Sequence, residues 1–223
     1  MMINLLLQNP MLFLVWVLAI IFALTIHEFF HAFTGYILGD KTAARAGRLT
    51  LNPMAHIDPI GFFALMFIGI GWAKPVPFNP YNLKYKKWGP ALVALAGPGS
   101  NLASFVFLGI LTHVLIYFGL GFNNLFIVLL LFTMFVNAIL LFFNILPIPP
   151  LDGSKILFAY LASPKYNNLK VFLQTRGPLL LLALLLLNWA TDGLVLSPLF
   201  IGTFYMFKLV GLSEALVTLF SLF

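Results

Sequence analysis

The sequence is short of two things that soluble enzymes use freely. It has no cysteine, which excludes a disulfide framework, a thiolate metal site and a Cys nucleophile, so any metal must sit on nitrogen and oxygen ligands. Charge is scarce as well: Asp, Glu, Lys and Arg make up 8% of the 223 residues against 62% hydrophobic ones. Soluble domains are about a quarter charged, so this chain belongs in a bilayer. Its length allows several spanning helices of about 20 residues each and little else, which predicts one membrane domain over residues 1–223. The net charge of +6 is spread along the flanks of hydrophobic segments and forms no long run, so it is read as a topology signal and not as a nucleic-acid footprint.

The fold class expected is an all-α polytopic membrane protein. Hydrophobic spans are predicted at 11–38, 90–119, 123–146, 177–191 and 195–212, the last two weaker in length. Residues 1–10 carry no Lys or Arg and so lack the basic start of a secretory signal; the first span is read as a retained helix. The second and third are joined by a short turn around Gly119 and Gly121 and should form an antiparallel hairpin. The positive-inside rule allows all twelve basic residues, Lys208 at the end of the fifth span included, to face the cytoplasm if the N-terminus is outside. The stretch 48–83 differs. It is rich in Pro and Gly, and its apolar run from Phe62 to Ile70 is too short to cross about 30 Å of hydrocarbon. It reads as a re-entrant, partly β-like segment, and irregular backbone at membrane depth implies a protein-lined or wet cavity.

Within the first span, whose one formally charged residue is Glu28, His27-Glu28-Phe29-Phe30-His31 spells His-Glu-x-x-His. On a helix the two imidazoles lie one turn apart on one face and can reach a single metal, while Glu28 can take a proton from water there. Those are the parts of peptide hydrolysis. The alternative is a packed polar cluster that glues helices together; the cost of ionisable groups in a hydrophobic span favours the functional reading. A catalytic zinc wants a third protein ligand. The long zincin pattern would need Gly and His where the chain has Thr34 and Ile37, and a downstream Glu could only be Glu214. Asp152 is the better candidate, directly after Pro147, Pro149 and Pro150 stop the third span. Counted at 1.5 Å per residue, His31 and the end of the third span both fall toward the cytoplasmic side, roughly 30 and 36 Å from the outer face.

His56 and Asp58 are read chiefly as turn-forming and cytoplasmic interface residues, with a pair supporting the metal ligands or a substrate gate as the sharper options. His113 is read as a helix-packing hydrogen bonder. Trp72, Trp88 and Trp189 fit interfacial anchoring.

The His27 to His31 motif, the Gly97-Pro98-Gly99-Ser100-Asn101 turn and the Asn144 to Gly153 segment together resemble the site-2 protease family of intramembrane metalloproteases, in a compact prokaryotic form without PDZ or CBS modules. The resemblance implies a three-helix catalytic unit in the cell membrane with its active site toward the cytoplasm. It implies one zinc per chain on His27, His31 and Asp152, with Glu28 as general base and Asn144 near the substrate backbone or transition state. The implied partners are transmembrane protein substrates within the lipid bilayer, and no nucleic acid. Two other classes remain open: a metal transporter with the His pair as a transit site, and an inactive relative that grips transmembrane helices without cutting them.

Overall fold

In the computed structural model, which describes residues 2–68 and 71–220, a short helix α1 (Met2–Gln8) leads into α2 (Pro10–Ile37). Asn9 starts α2 by accepting the Leu12 N–H at 3.1 Å, and Pro10 occupies a first-turn position where no N–H is needed. Val15, Ala19, Ala23, His27, His31 and Gly35 recur every fourth position and are all buried. That ridge of mostly small side chains lets neighbouring helices approach closely, as membrane packing requires.

A single turn α3 (Thr42–Arg45) follows, then α4 (Pro59–Ile68), a ten-residue helix in the middle of the segment expected to be re-entrant. The chain returns beside it: a β-carbon on Gly61 would lie 2.2 Å from the Trp72 carbonyl oxygen, and one on Gly71 2.5 Å from that of Gly61. A bridge between Ile57 and Ala73 closes the base of this hairpin. The apolar run singled out in the sequence extends to Ile70 and partly lies outside the described residues. Among those described there is no β-sheet, so the expected β-like character reduces to this one bridge and an extended stretch at 72–78.

Helices α5 (Gly89–Tyr117) and α6 (Leu125–Ile145) form the expected antiparallel hairpin, which packs on α2. Their shared core of Phe105, Leu108, Ile127, Leu131 and Met134 is also met by α1 and by the C-terminal helices. After the proline run come α7 (Gly153–Tyr160), α8 (Asn167–Ala190), α9 (Ser197–Leu209) and α10 (Ser213–Phe220).

Two expectations need correction. Among the described residues four helices, not five, are long and apolar enough to span a bilayer: α2, α5, α6 and the α8 segment, which starts about ten residues before the predicted 177. The predicted fifth span, 195–212, is the 13-residue α9, ended by Gly211 at φ +72°. Its direction also alters the charge argument. Gly202 packs on Phe142 near the C-terminal end of α6, whereas the Val210 carbonyl accepts a hydrogen bond from His113 Nε2 at 2.6 Å near the C-terminal end of α5. Those ends are opposite, so α9 runs toward the hairpin turn, and Lys208 lies at that end, away from Lys84, Lys86 and Lys87. Lys208 therefore lies apart from those lysines, and tertiary packing overrides the charge pattern for it.

Candidate metal centre

Three helices and one loop converge on a point at the buried face of α2. His27 and His31 project from successive turns with their Nε2 atoms 3.0 Å apart. Asp152 reaches the same point from the loop after α6, its Oδ2 lying 3.3 Å from His27 Nε2 and 3.0 Å from His31 Nε2. The loop gets there because Pro147 to Pro150 prevent α6 from continuing and α7 folds straight back: a β-carbon on Gly153 would lie 2.0 Å from the Ile145 carbonyl oxygen. The other carboxylate oxygen, Oδ1, lies 3.6 Å from Lys155 Nζ, one turn along.

The protons on the rings decide what this triangle can hold. His31 Nδ1 faces the Val93 carbonyl oxygen at 2.7 Å, and a carbonyl can only accept, so the ring proton sits there and Nε2 keeps its lone pair. His27 Nδ1 faces Asn101 Oδ1 at 2.6 Å, with the same result. Two imidazole lone pairs and a carboxylate oxygen then meet in one buried place, and Asp152 Oδ2 has no hydrogen-bond donor. Three acceptors at this spacing need a cation between them, or else a proton taken up on one ring. A tetrahedral zinc with bonds of about 2.0–2.1 Å sets its ligand atoms roughly 3.3 Å apart, close to the 3.0 to 3.3 Å edges of the triangle. The residues present fit the ion, and among the described residues this is the one cluster of its kind.

Helix α5 is shaped to the site. Pro98 has no N–H for the carbonyl of Ala94 and loosens the turn that carries the Val93 carbonyl. Gly97 leaves room for both rings, since a β-carbon there would lie 2.5 Å from His31 Nε2 and 2.6 Å from His27 Cε1.

The triangle opens into a cleft of about 400 Å³ whose lining includes Glu28, Asn144, Lys155 and the extended stretch with Trp72, Pro75 and Val76. Glu28 and Asn144 thus face the same space as the three ligand candidates, and Asn144 Nδ2 donates to the Leu140 carbonyl at 3.1 Å. The extended stretch is held from behind: Arg48 donates to the carbonyls of Pro75 at 2.8 Å and Lys74 at 2.5 Å, and the Lys74 N–H donates to the His56 carbonyl at 2.8 Å. Below it, Asp40 accepts from Asn79 N–H, Asn82 Nδ2 and both donors of Thr42. Burial opposes its ionisation, but these donors overcome it and hold its carboxyl below the usual range.

The remaining polar residues bond to nearby backbone. His56 is buried and donates Nε2–H to the Thr50 carbonyl at 2.8 Å, and Asp58 caps the start of α4 by accepting from Gly61 N–H. His113 bonds α5 to the end of α9. Sequence reasoning gave no part to Lys155 or Val93 and no reason for Gly97. Lys155 was legible as the residue one helical turn after Asp152; a backbone acceptor such as Val93 leaves no signature in side-chain identity.

The family described as peptidase family M50 matches residues 112–186. The chain is 40% identical over 149 residues to YwhC of Bacillus subtilis (strain 168), named as a candidate zinc metalloprotease, covering 63% of this chain and 66% of that protein. It is 33% identical over 208 residues to Rip2 of Mycobacterium tuberculosis (strain ATCC 35801 / TMC 107 / Erdman), named in the same way, covering 87% of this chain and 73% of the relative. Against Rip2 of Mycolicibacterium smegmatis it is 32% identical and spans 51% of that protein, so it accounts for only about half to two thirds of the length of several relatives. No solved structure matches. The long match to the first Rip2 runs through both the histidine helix and the aspartate loop that meet at the triangle, and on it the chain belongs to peptidase family M50, the site-2 protease family.

Proposed function

We propose that this integral membrane protein is a zinc endopeptidase that hydrolyses peptide bonds in or near transmembrane segments of other membrane proteins, in the cytoplasmic membrane and with the N-terminus outside. The observation that carries the reading is the convergence of two imidazole lone pairs and a carboxylate oxygen beside Glu28, in a cleft with extended backbone along one wall. His27, His31 and Asp152 would hold the ion. Bound zinc supplies Lewis acidity, making water a nucleophile near neutral pH and polarising a peptide carbonyl.

The other tasks fall to the chain itself. Glu28 takes the proton of the attacking water and returns it to the leaving amide nitrogen, a general acid–base role. Asn144 offers its amide to the substrate backbone across the cleft. The stretch 72–78, braced by Arg48, presents a straight edge to which a substrate unwound from its helix can align. An apolar groove of about 370 Å³, bordered by Trp16, Ile20, Phe62 and Phe200, shares Leu24, Trp72 and Leu140 with the cleft and gives an apolar segment a way in from the lipid side. A transporter would want further ligands along a path, and the described residues offer the one cluster.

The test is cleavage of a single-span substrate reconstituted with the protein in liposomes. Wild type should cut within or beside the span, lose activity to a chelator and regain it with zinc. Glu28→Gln should retain zinc and cut at least about 10²-fold more slowly. Zinc transport into the liposomes that survives Glu28→Gln, with no cleavage by wild type, would replace this reading with the transporter.

A further inference from the structure

Two asparagines sit at the centre of the bundle with no exposure at all, Asn101 on α5 and Asn137 on α6. In hydrocarbon such amides are costly unless every donor and acceptor is met. Here the oxygen and the nitrogen of each amide find partners in one order only. Asn137 Nδ2 lies 2.7 Å from the Thr133 carbonyl oxygen, which can only accept, so the nitrogen of that amide must face it. Asn137 Oδ1 is then turned to Asn101 Nδ2, which donates to it at 2.8 Å. Asn101 Oδ1 is left facing His27 Nδ1 at 2.6 Å and must accept from it. A backbone carbonyl at one end of the chain thereby fixes the position of a proton at the other, across three helices.

We infer that Asn137, acting through Asn101, is a positioning residue that keeps the His27 proton on Nδ1 and its Nε2 lone pair turned toward His31 and Asp152. The inference rests on reading the triangle as a metal site, and it gives the relay a task beyond holding α5 to α6. His31 needs no such device, because the Val93 carbonyl fixes its ring directly. For His27 the partner is an amide, which can turn over. Without Asn137, Asn101 is free to offer Nδ2 in place of Oδ1. His27 Nδ1 must then accept, the ring proton moves to Nε2, and the lone pair that binds the ion is lost. Partners of this kind behind a ligating histidine typically change metal affinity by about 10- to 100-fold.

The experiment measures zinc affinity by chelator competition, beside thermal stability, in detergent-purified full-length protein. Asn137→Ala should bind zinc about 10- to 100-fold more weakly than wild type. Leu131→Ala, in the same helix pair but outside the relay, should lower stability and leave affinity unchanged. Removing both asparagines should weaken binding no more than Asn101→Ala alone, since the two act as one chain. Asn101→Asp supplies an acceptor oxygen whichever way it turns, so Asn137→Ala added to it should cost no affinity.

Wild-type affinity in a destabilised Asn137→Ala, or a loss that persists in the Asn101→Asp background, overturns the relay while leaving the metal site standing. A folded wild type that takes up no zinc overturns both. If Asn137→Ala does not fold, nitrogen-15 spectra of the zinc-loaded wild type decide the matter: His27 bound through Nε2 with its proton on Nδ1 upholds the relay, and the opposite tautomer ends it.

Discussion

Helices α2 and α8 are both long and apolar, yet they do different work. In the most apolar part of α2, 44% of the residues are buried against other protein; in the α8 segment the share is 6%. One residue of α8 is buried, Gly177, whose β-carbon position lies 2.6 Å from the Pro149 side chain. The comparison separates two meanings of hydrophobicity in a membrane chain. In α8 it matches the lipid. In α2 the face turned inward is small or ionisable, and its residues are chosen by what they touch. The machinery of the site is thus concentrated in α2, α5, α6 and the loop that follows, and α8 meets it at a single crossing.

The sharpest way to break that comparison is to remove the ligand candidates. His27→Ala, His31→Ala and Asp152→Ala should each abolish stoichiometric zinc in elemental analysis, while Glu28→Gln keeps the metal and lowers cleavage by about 10²- to 10⁴-fold. Zinc retained by Asp152→Ala would remove the loop from the site. Next in size is a pair of glycines two residues apart. Gly97→Ala drives a methyl group into both imidazoles and should cost most of the bound zinc, whereas Gly99 has open space around its β-carbon position, so Gly99→Ala should leave zinc content and cleavage as they are.

Smaller effects test the packing contrast itself. Leu131→Ala, in the α5–α6 core, should cost about 2–5 kcal/mol in an unfolding titration. Leu182→Ala, on the exposed face of α8, should stay within about 0.5 kcal/mol. A large loss at Leu182 would mean that α8 carries a protein interface there.

The smallest effect concerns acid. Because the folded state lowers the Asp40 pKa, its contribution is complete above the unfolded carboxylate value of about 3.9 and is lost as pH falls through the lower folded value. Wild type should therefore show no Asp40-dependent change in melting temperature between pH 8 and about pH 5. Asp40→Ala should be less stable throughout that range by about 1–3 kcal/mol, the net worth of its charge-assisted hydrogen bonds from partly exposed donors.

How much of this was legible in the sequence follows from how local each signal is. His27, Glu28 and His31 lie within one helical turn, so their spacing alone predicts a shared face. The end of α6 was legible because proline cannot continue a helix, and the carboxylate beyond it stands out in an apolar chain. Asn137 was as visible as any polar residue in a hydrophobic span, but its use depends on which neighbour it faces, and that is set by the crossing of α5 and α6. The direction of α9 was beyond reach for the same reason: an apolar run of 13 residues does not encode whether it crosses the bilayer or turns along a hairpin. Lys208, assigned to the wrong end by charge counting, is the price of that ambiguity.

The aspartate that completes the triangle lies more than a hundred residues after the second histidine, beyond two further membrane-crossing segments. During synthesis the histidine helix enters the bilayer first, and α5 and α6 must insert and pack before residue 152 can turn back to meet it. Until then a chain offers an ion two ligands and no enclosure. On the proposed function, zinc uptake is therefore a late event in the life of each molecule, and a metal-loaded chain is one whose assembly is already complete, so that cutting would wait until the protein is built.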